Sequence, residues 1–397
     1  MRFYNLSELS LIVKQIATAL FFRRATGWRM SRWISSLDRM FRVAAGAYGA
    51  GCFGYPPHPV LEVTNRCNMK CIHCEVRGGE VRMDPPLENV FKMIDSIATV
   101  PEFKMLVLTG GDPLMNSNIL EIIDYARSYG FEIVIATNGT LISENMAREL
   151  SRKGVAGVAV SLDFIEPKLH DYFRGVSGTW IRTMEGIRNS VREKLYLQVN
   201  ITMSKLNLHE LPNLLYLADR LGAHVILLYQ FQPFGRGSEI NSEMLGRSEL
   251  LKIMETTMNI QRNLNALIVP IGLPEYFAHL FGEADGGLMK VDNKLIYGCI
   301  AGKGMFYVKW YGEVWPCVFL QVGIGNIIKE PAVKIWRENK ILAKLRNREN
   351  LEGPCRLCIH REICGGCRSR AYLLTGSIFA SDPLCPLINS NNSSTVI

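Results

Sequence analysis

No run of about eighteen uncharged apolar residues occurs in the 397-residue chain. The best candidate, LIVKQIATALFF from Leu11 to Phe22, is interrupted by Lys14 and is too short to span a bilayer. No small-residue cleavage site follows it closely, so no secretory leader is expected. An even cysteine count is also missing. The eleven cysteines, at 52, 67, 71, 74, 299, 317, 355, 358, 364, 367 and 385, argue against a disulfide framework. They favour a reducing, cytoplasmic setting and metal or catalytic cysteines. No repeat of fixed period is visible. Nor is there a broad basic surface. Of the formal net charge of +8, residues 1–42 account for +6, with eight basic side chains against Glu8 and Asp38. The remainder is nearly balanced, so nucleic acid is not an expected partner.

What is present suffices for two or three folded units. Hydrophobic residues make up 48% of the chain, enough for a sizeable core. In residues 1–55, Val13, Ile16, Ala17, Leu20 and Phe21 recur at helical spacing. The basic side chains there, with Trp28, Trp33 and Phe41, suit peripheral contact with an anionic membrane through residues 1–45. The alternative is a helical extension packed on the main fold. GYPPHPV (Gly54 to Val60) breaks the pattern and marks a boundary.

Residues 56–240 alternate apolar runs with helical stretches. Strands are expected at 60–64, 105–110, 132–139, 157–163, 197–203 and 224–231. Such a series predicts an α/β fold with a parallel sheet, open or closed into a partial (β/α)6 TIM-like barrel. Residues 241–296 read as a connecting helical region, 297–388 as a small cysteine-rich domain and 389–397 as a disordered tail. Two strands around a turn at Tyr311-Gly312 and a helix near Val333 to Arg348 open the cysteine-rich part. Parallel α/β folds place chemistry at the carboxyl ends of their strands. The unusual residues fall there: TNRC, TGGDP, TNG and SLD follow the first four strands in turn.

CNMKCIHC spaces Cys67, Cys71 and Cys74 as C-x3-C-x2-C. Three thiolates on one loop suit three corners of a cubane and leave one iron open, whereas most clusters take four cysteines. Zinc would need a fourth ligand, and His73, the local candidate, adjoins Cys74 too directly to chelate the same ion easily. Placed after the first strand of a β/α series, the motif resembles the radical S-adenosylmethionine (radical SAM) superfamily over about Pro59 to Gly237. That resemblance implies a 4Fe–4S cluster on Cys67, Cys71 and Cys74 whose open iron binds S-adenosylmethionine. It further implies reductive cleavage to a 5′-deoxyadenosyl radical that removes a substrate hydrogen, with ferredoxin or flavodoxin as reductant. By the same resemblance Gly110, Gly111 and Asp112, followed by Pro113, lie beside the methionyl amino group, Asp112 standing where the family often has Glu. Ser161 and Arg174 match contacts to the methionyl carboxylate, Asn138 lines the cavity and His73 packs near the adenine.

The tail adds Cys299 and Cys317, then CRLCIHREICGGC from Cys355 to Cys367, then Cys385. This order is similar to the SPASM extension of radical SAM enzymes, which holds auxiliary iron–sulfur clusters. The resemblance implies one cluster on Cys355, Cys358, Cys364 and Cys385 and another on Cys299, Cys317 and Cys367. The second has only three thiolates; an open position, the substrate, Asp292 or Cys52 would complete it. A structural zinc domain is the plainer reading, but two C-x2-C pairs at a zinc site are normally separated by more than five residues. The tail also resembles the subgroup of haem and haem d1 biosynthesis enzymes and some peptide maturases. That implies a tetrapyrrole-like cofactor precursor or a peptide as substrate. Glu75 departs from the tyrosine many of that subgroup carry after the third cysteine. No winged-helix peptide-binding domain is evident at the amino terminus. Asn200, Gln230, Gln232 and Arg236, near late strand ends, are candidate substrate contacts; ordinary turn polarity is the alternative for each. Competing functions are a non-catalytic iron–sulfur electron carrier and a zinc-stabilised binding module.

Overall fold

The computed structural model describes residues 16, 19–20, 23–32, 57–282 and 298–387. Most of the expected amino-terminal helices, with Trp33, Phe41 and Cys52, lie outside the described residues, as do Asp292 and the tail 389–397. Among the described residues no helix is long and apolar enough to cross a membrane.

Ten strands form one sheet: β1 (His58–Glu62), β2 (Met105–Thr109), β3 (Glu132–Thr137), β4 (Gly157–Ser161), β5 (Tyr196–Met203), β6 (Val225–Gln230), β7 (Leu267–Ile271), β8 (Met305–Val308), β9 (Glu313–Trp315) and β10 (Gly325–Asn326). Their order is β10-β9-β8-β1-β2-β3-β4-β5-β6-β7, and β1 to β7 run parallel. The open ends make it a partial barrel, with the expected strands at its centre. Strands such as β3 and β6 are buried along nearly their whole length, as strands covered on both faces must be. Amphipathic helices supply the outer cover. The helix Leu87–Ala98 turns Val90, Met93, Ile94 and Ile97 inward.

Two additions enlarge the expected sheet. β7 falls within residues read as a connecting helical region; Pro270 sits in it, paired with Leu228 of β6. As the edge strand it accommodates a residue with no N–H to donate. At the other side β8 joins β1 in parallel, with Val60 opposite Tyr307 and Leu61 opposite Val308. The β8–β9 hairpin of the cysteine-rich region is therefore continuous with the barrel. The helix expected near 333–348 is two helices, Ala332–Glu338 and Lys340–Arg346. Asn339 breaks them, and its side chain caps the second by accepting from Ile341 N and Leu342 N.

The described amino-terminal segment lies against the barrel. Trp28 is buried and its Nε1 donates to the Asn265 carbonyl at 2.8 Å. Arg32 pairs with Asp219 at 2.9 Å. Trp28 is thus a packing residue facing the barrel, not a membrane contact.

Candidate functional site

A cavity of about 320 Å³ occupies the barrel interior and opens among the strand ends. Cys67, Cys71 and Cys74 line it on one side, and Cys299, Cys317 and Cys367 on another. The first loop is held in place by glycines. Gly110 and Gly111 lie directly against it: a Cβ would stand 2.1 Å from the Thr64 carbonyl oxygen at the one and 2.3 Å from that of Arg66 at the other. Gly111 N and Asp112 N donate to those same carbonyls, at 3.0 and 2.8 Å. The close approach that requires glycine here is to the backbone leading into the cysteines.

The thiols meet donors. Met69 N donates to Cys67 Sγ at 3.4 Å and Gly78 N to Cys74 Sγ at 3.3 Å, while Arg174 Nη1 is 3.9 Å from Cys71 Sγ. Burial pushes the Cys67 and Cys74 thiols up to about 12. Arg174 is itself buried, its Nε donating to Asp163 Oδ2 at 2.7 Å. Burial works to raise the Asp163 carboxyl, but Arg174 prevails and holds it below its ordinary value. His73 stacks on Phe173 with ring centroids 3.9 Å apart, and its Nδ1 is buried without a partner. Burial, aided by Arg174, lowers its pKa to about 3.

The other expected residues divide. Gly110, Gly111, Asn138, Ser161, Asn200 and Gln232 line the cavity. Asp112 does not. It is fully buried and accepts from Leu114 N at 3.0 Å, Thr137 Oγ1 at 2.7 Å and Asn138 N at 2.9 Å, clasping the turns after β2 and β3. Gln230 faces away and accepts from Arg370 Nη1. Arg236 reaches the wall but donates to the Cys71 carbonyl at 3.0 Å and the Gly78 carbonyl at 3.2 Å, bracing the cysteine loop.

The tail cysteines also divide. Cys355, Cys358, Cys364 and Cys385 surround a second, small cavity. Cys367 points the other way, with Ser369 Oγ at 3.2 Å and Gln232 Nε2 at 3.6 Å from its sulfur. A buried network fixes this crossing point. Asp382 accepts from Cys367 N at 2.9 Å and from Arg370, which also pairs with Glu275 at 3.0 Å. Burial pushes Glu275 up to about 7. No described cysteine is in a disulfide. Among the described residues no three His, Cys, Asp or Glu side chains converge on one ion-sized point. Thiols spread around a cavity fit separate irons of a cluster better than one tetrahedral zinc.

Comparison with known proteins gives the family. The Radical SAM superfamily model matches residues 61–218, and that of the SPASM iron–sulfur cluster-binding domain matches 299–359. The AdoMet-dependent heme synthase of Methanosarcina barkeri is 32% identical over 336 residues, covering 82% of this chain and 94% of that protein. The chain belongs to the radical SAM superfamily. The Fe-coproporphyrin III synthase of the same organism is 29% identical, over 83% of this chain and 88% of its own length. Streptococcus suis SuiB bound to its precursor peptide SuiA shares the fold, with a TM-score of 0.67 at 17% identity over 84% of this chain and 76% of that one.

This radical SAM chain, with its SPASM region, is therefore an enzyme whose cofactors are iron–sulfur clusters and S-adenosylmethionine. Its residues fit those groups. Buried thiols with N–H donors aimed at them need a cation to hold them as thiolates, which the iron of a cluster would supply.

Several contributors were not singled out from sequence. Asp163 lies inside SLD, and an acid just past a strand end with an arginine on the next helix was the available signal. Glu62, at the end of β1, accepts from Tyr307 and Lys309, both at 2.7 Å, and ties β1 to the tail hairpin. No local signal pairs residues so far apart in the chain. Gln321 donates to the Glu75 carbonyl at 3.0 Å and joins the two cysteine-bearing loops.

Proposed function

We propose that this radical SAM enzyme is an oxidoreductase or maturase that oxidises a substrate held between the two cysteine triads of its main cavity. The single observation that carries the reading is that Cys67, Cys71 and Cys74 share one cavity with Cys299, Cys317 and Cys367. In this reading the first triad ligates the cluster that binds S-adenosylmethionine. When bound, that pair supplies the electron and the radical that removes a substrate hydrogen. Gly110, Gly111, Asn138, Ser161, Arg174 and His73 border the S-adenosylmethionine site, and Asp112 acts indirectly by fixing the turns beside it. Cys355, Cys358, Cys364 and Cys385 hold one auxiliary cluster, and Cys299, Cys317 and Cys367 the other. Residues 56–240 carry the radical chemistry and 297–388 the auxiliary clusters. A ferredoxin or flavodoxin supplies the electron in a reducing, cytoplasmic setting. The substrate is a cofactor precursor, as the names of the synthases suggest, or a peptide, as with SuiB.

The test is anaerobic reconstitution, an iron and sulfide count, then dithionite and S-adenosylmethionine. Formation of 5′-deoxyadenosine supports the reading. Well-loaded clusters with intact S-adenosylmethionine would leave an electron carrier, and a colourless zinc protein would leave a binding module. Replacing Cys67, Cys71 and Cys74 with Ala abolishes cleavage. Replacing Cys355 and Cys358 spares some cleavage but stops product.

A further inference from the structure

Glu75 is a lining residue that this reading leaves without a task. It follows Cys74 directly and borders the main cavity. Its backbone is fixed from two sides. The Glu75 carbonyl accepts from Gln321 Nε2 at 3.0 Å, and a Cβ on Gly235 would stand 2.5 Å from the same oxygen. The preceding carbonyl, that of Cys74, accepts from Arg236 N at 2.9 Å. Because Gln321 belongs to the loop that carries Cys317, Glu75 stands at the seam between the two triads.

Its carboxyl group is half-buried and, among the described residues, accepts from its own backbone N–H and has no ion-pair partner. The cations whose field reaches it are committed elsewhere, Arg174 to Asp163 and Lys309 to Glu62. The described lining contains no lysine, and its other guanidinium, Arg236, is spent on the Cys71 and Gly78 carbonyls and on Glu80. A substrate bearing several carboxylates would therefore meet a carboxyl group and no free ammonium or guanidinium on this wall. One backbone N–H leaves most of a carboxylate's acceptor sites unfilled, and at a cavity wall a donor from the ligand can take them. A carboxyl group offers an acceptor oxygen in either protonation state.

We propose that Glu75 accepts a hydrogen bond from an ammonium or amide N–H of the substrate, and so selects a nitrogen-bearing, peptide-like substrate over a polycarboxylate tetrapyrrole. This inference rests on the reading of the main cavity as the substrate site.

The test uses the reconstituted holoenzyme with S-adenosylmethionine bound. Its probes are two pools of synthetic alanine–glycine peptides, alike except for a single lysine or a single glutamate, and iron coproporphyrin III. Equilibrium dialysis measures their affinities. The lysine pool is expected to bind about tenfold tighter than the glutamate pool or the porphyrin, as a charge-assisted hydrogen bond allows. E75L should erase that preference and E75D should keep most of it; iron and sulfide counts establish that each variant is loaded. If E75L does not load, E75A is read in its place. Wild-type enzyme with no lysine preference, tighter binding of the porphyrin, or an undiminished preference in the leucine or alanine variant would overturn the proposal. Failure of the wild type to form 5′-deoxyadenosine would instead overturn the proposed function, since the affinities are measured without turnover.

Discussion

Replacing Asp163 with Asn probes how the barrel holds a buried guanidinium beside its cysteine loop. One Asp163 oxygen accepts from Arg174 Nε at 2.7 Å; the other accepts from Thr202 N at 2.8 Å. Asparagine preserves the shape but must turn an NH2 group toward either the guanidinium or the Thr202 N–H. Both faces are donors, so neither amide orientation satisfies the site. Arg174, only 8% exposed, is left with an uncompensated charge. Breaking a buried pair from one side costs about 3–5 kcal/mol. An exposed pair such as Arg77–Glu80 contributes only about 0–1 kcal/mol. Against a typical folding stability of about 5–15 kcal/mol, the loss is a large fraction. Urea unfolding of the anaerobic holoenzyme, followed by circular dichroism and cluster absorbance, should show a midpoint lower by on the order of 1 M. The double variant D163L/R174M removes both charges and should recover more than half of the loss. A D163N cost below about 1 kcal/mol, within the range of an exposed pair, or a double variant no better than the single, would refute the reasoning.

Three further predictions test separate parts of the site. Burial holds His170 neutral, with its pKa lowered from 6.5 to about 4. The unfolded chain takes up this proton first, so the stability tied to a neutral His170 is complete above about pH 6.5 and falls toward pH 4, by up to roughly 3 kcal/mol; H170Q should flatten that part of a urea-midpoint profile. G111A places a Cβ 2.3 Å from the Arg66 carbonyl oxygen and must displace the first cysteine loop. The iron count should fall by one cluster while the tail clusters remain; full loading would contradict this. Q232A removes the N–H group 3.6 Å from Cys367 Sγ and the acceptor of Ser369 Oγ. Loss of a donor to a cluster sulfur should lower that cluster's potential in an EPR-monitored redox titration, and an unchanged potential would count against the ligation.

Much of the barrel was legible because its strands are buried on both faces and read as apolar runs between amphipathic helices. β7 was not, since Pro270 within LIVPI argues against a strand unless its edge position is known. The junction of β8 with β1 is a pairing between distant segments, which no local pattern encodes. The cysteine spacings were legible because ligands on a short loop must be near in sequence. Their companions were less so. A polar residue near a strand end reads the same whether it faces the cavity, as Ser161 does, clasps neighbouring turns, as Asp112 does, or accepts from a buried arginine, as Gln230 does.

The pairing of β8 with β1 makes the auxiliary region more than a holder of sulfur. β1 leads directly into the first cysteine loop, and it is flanked by β2 on one side and by the tail hairpin on the other. Without that hairpin, an apolar strand would present a row of unpaired N–H and C=O groups, a template for adhesion between molecules. A chain cut before β8 is thus a solubility defect before it is an electron-transfer defect. The tail acts as a selvedge, finishing the raw margin of the fabric on which the radical chemistry is laid.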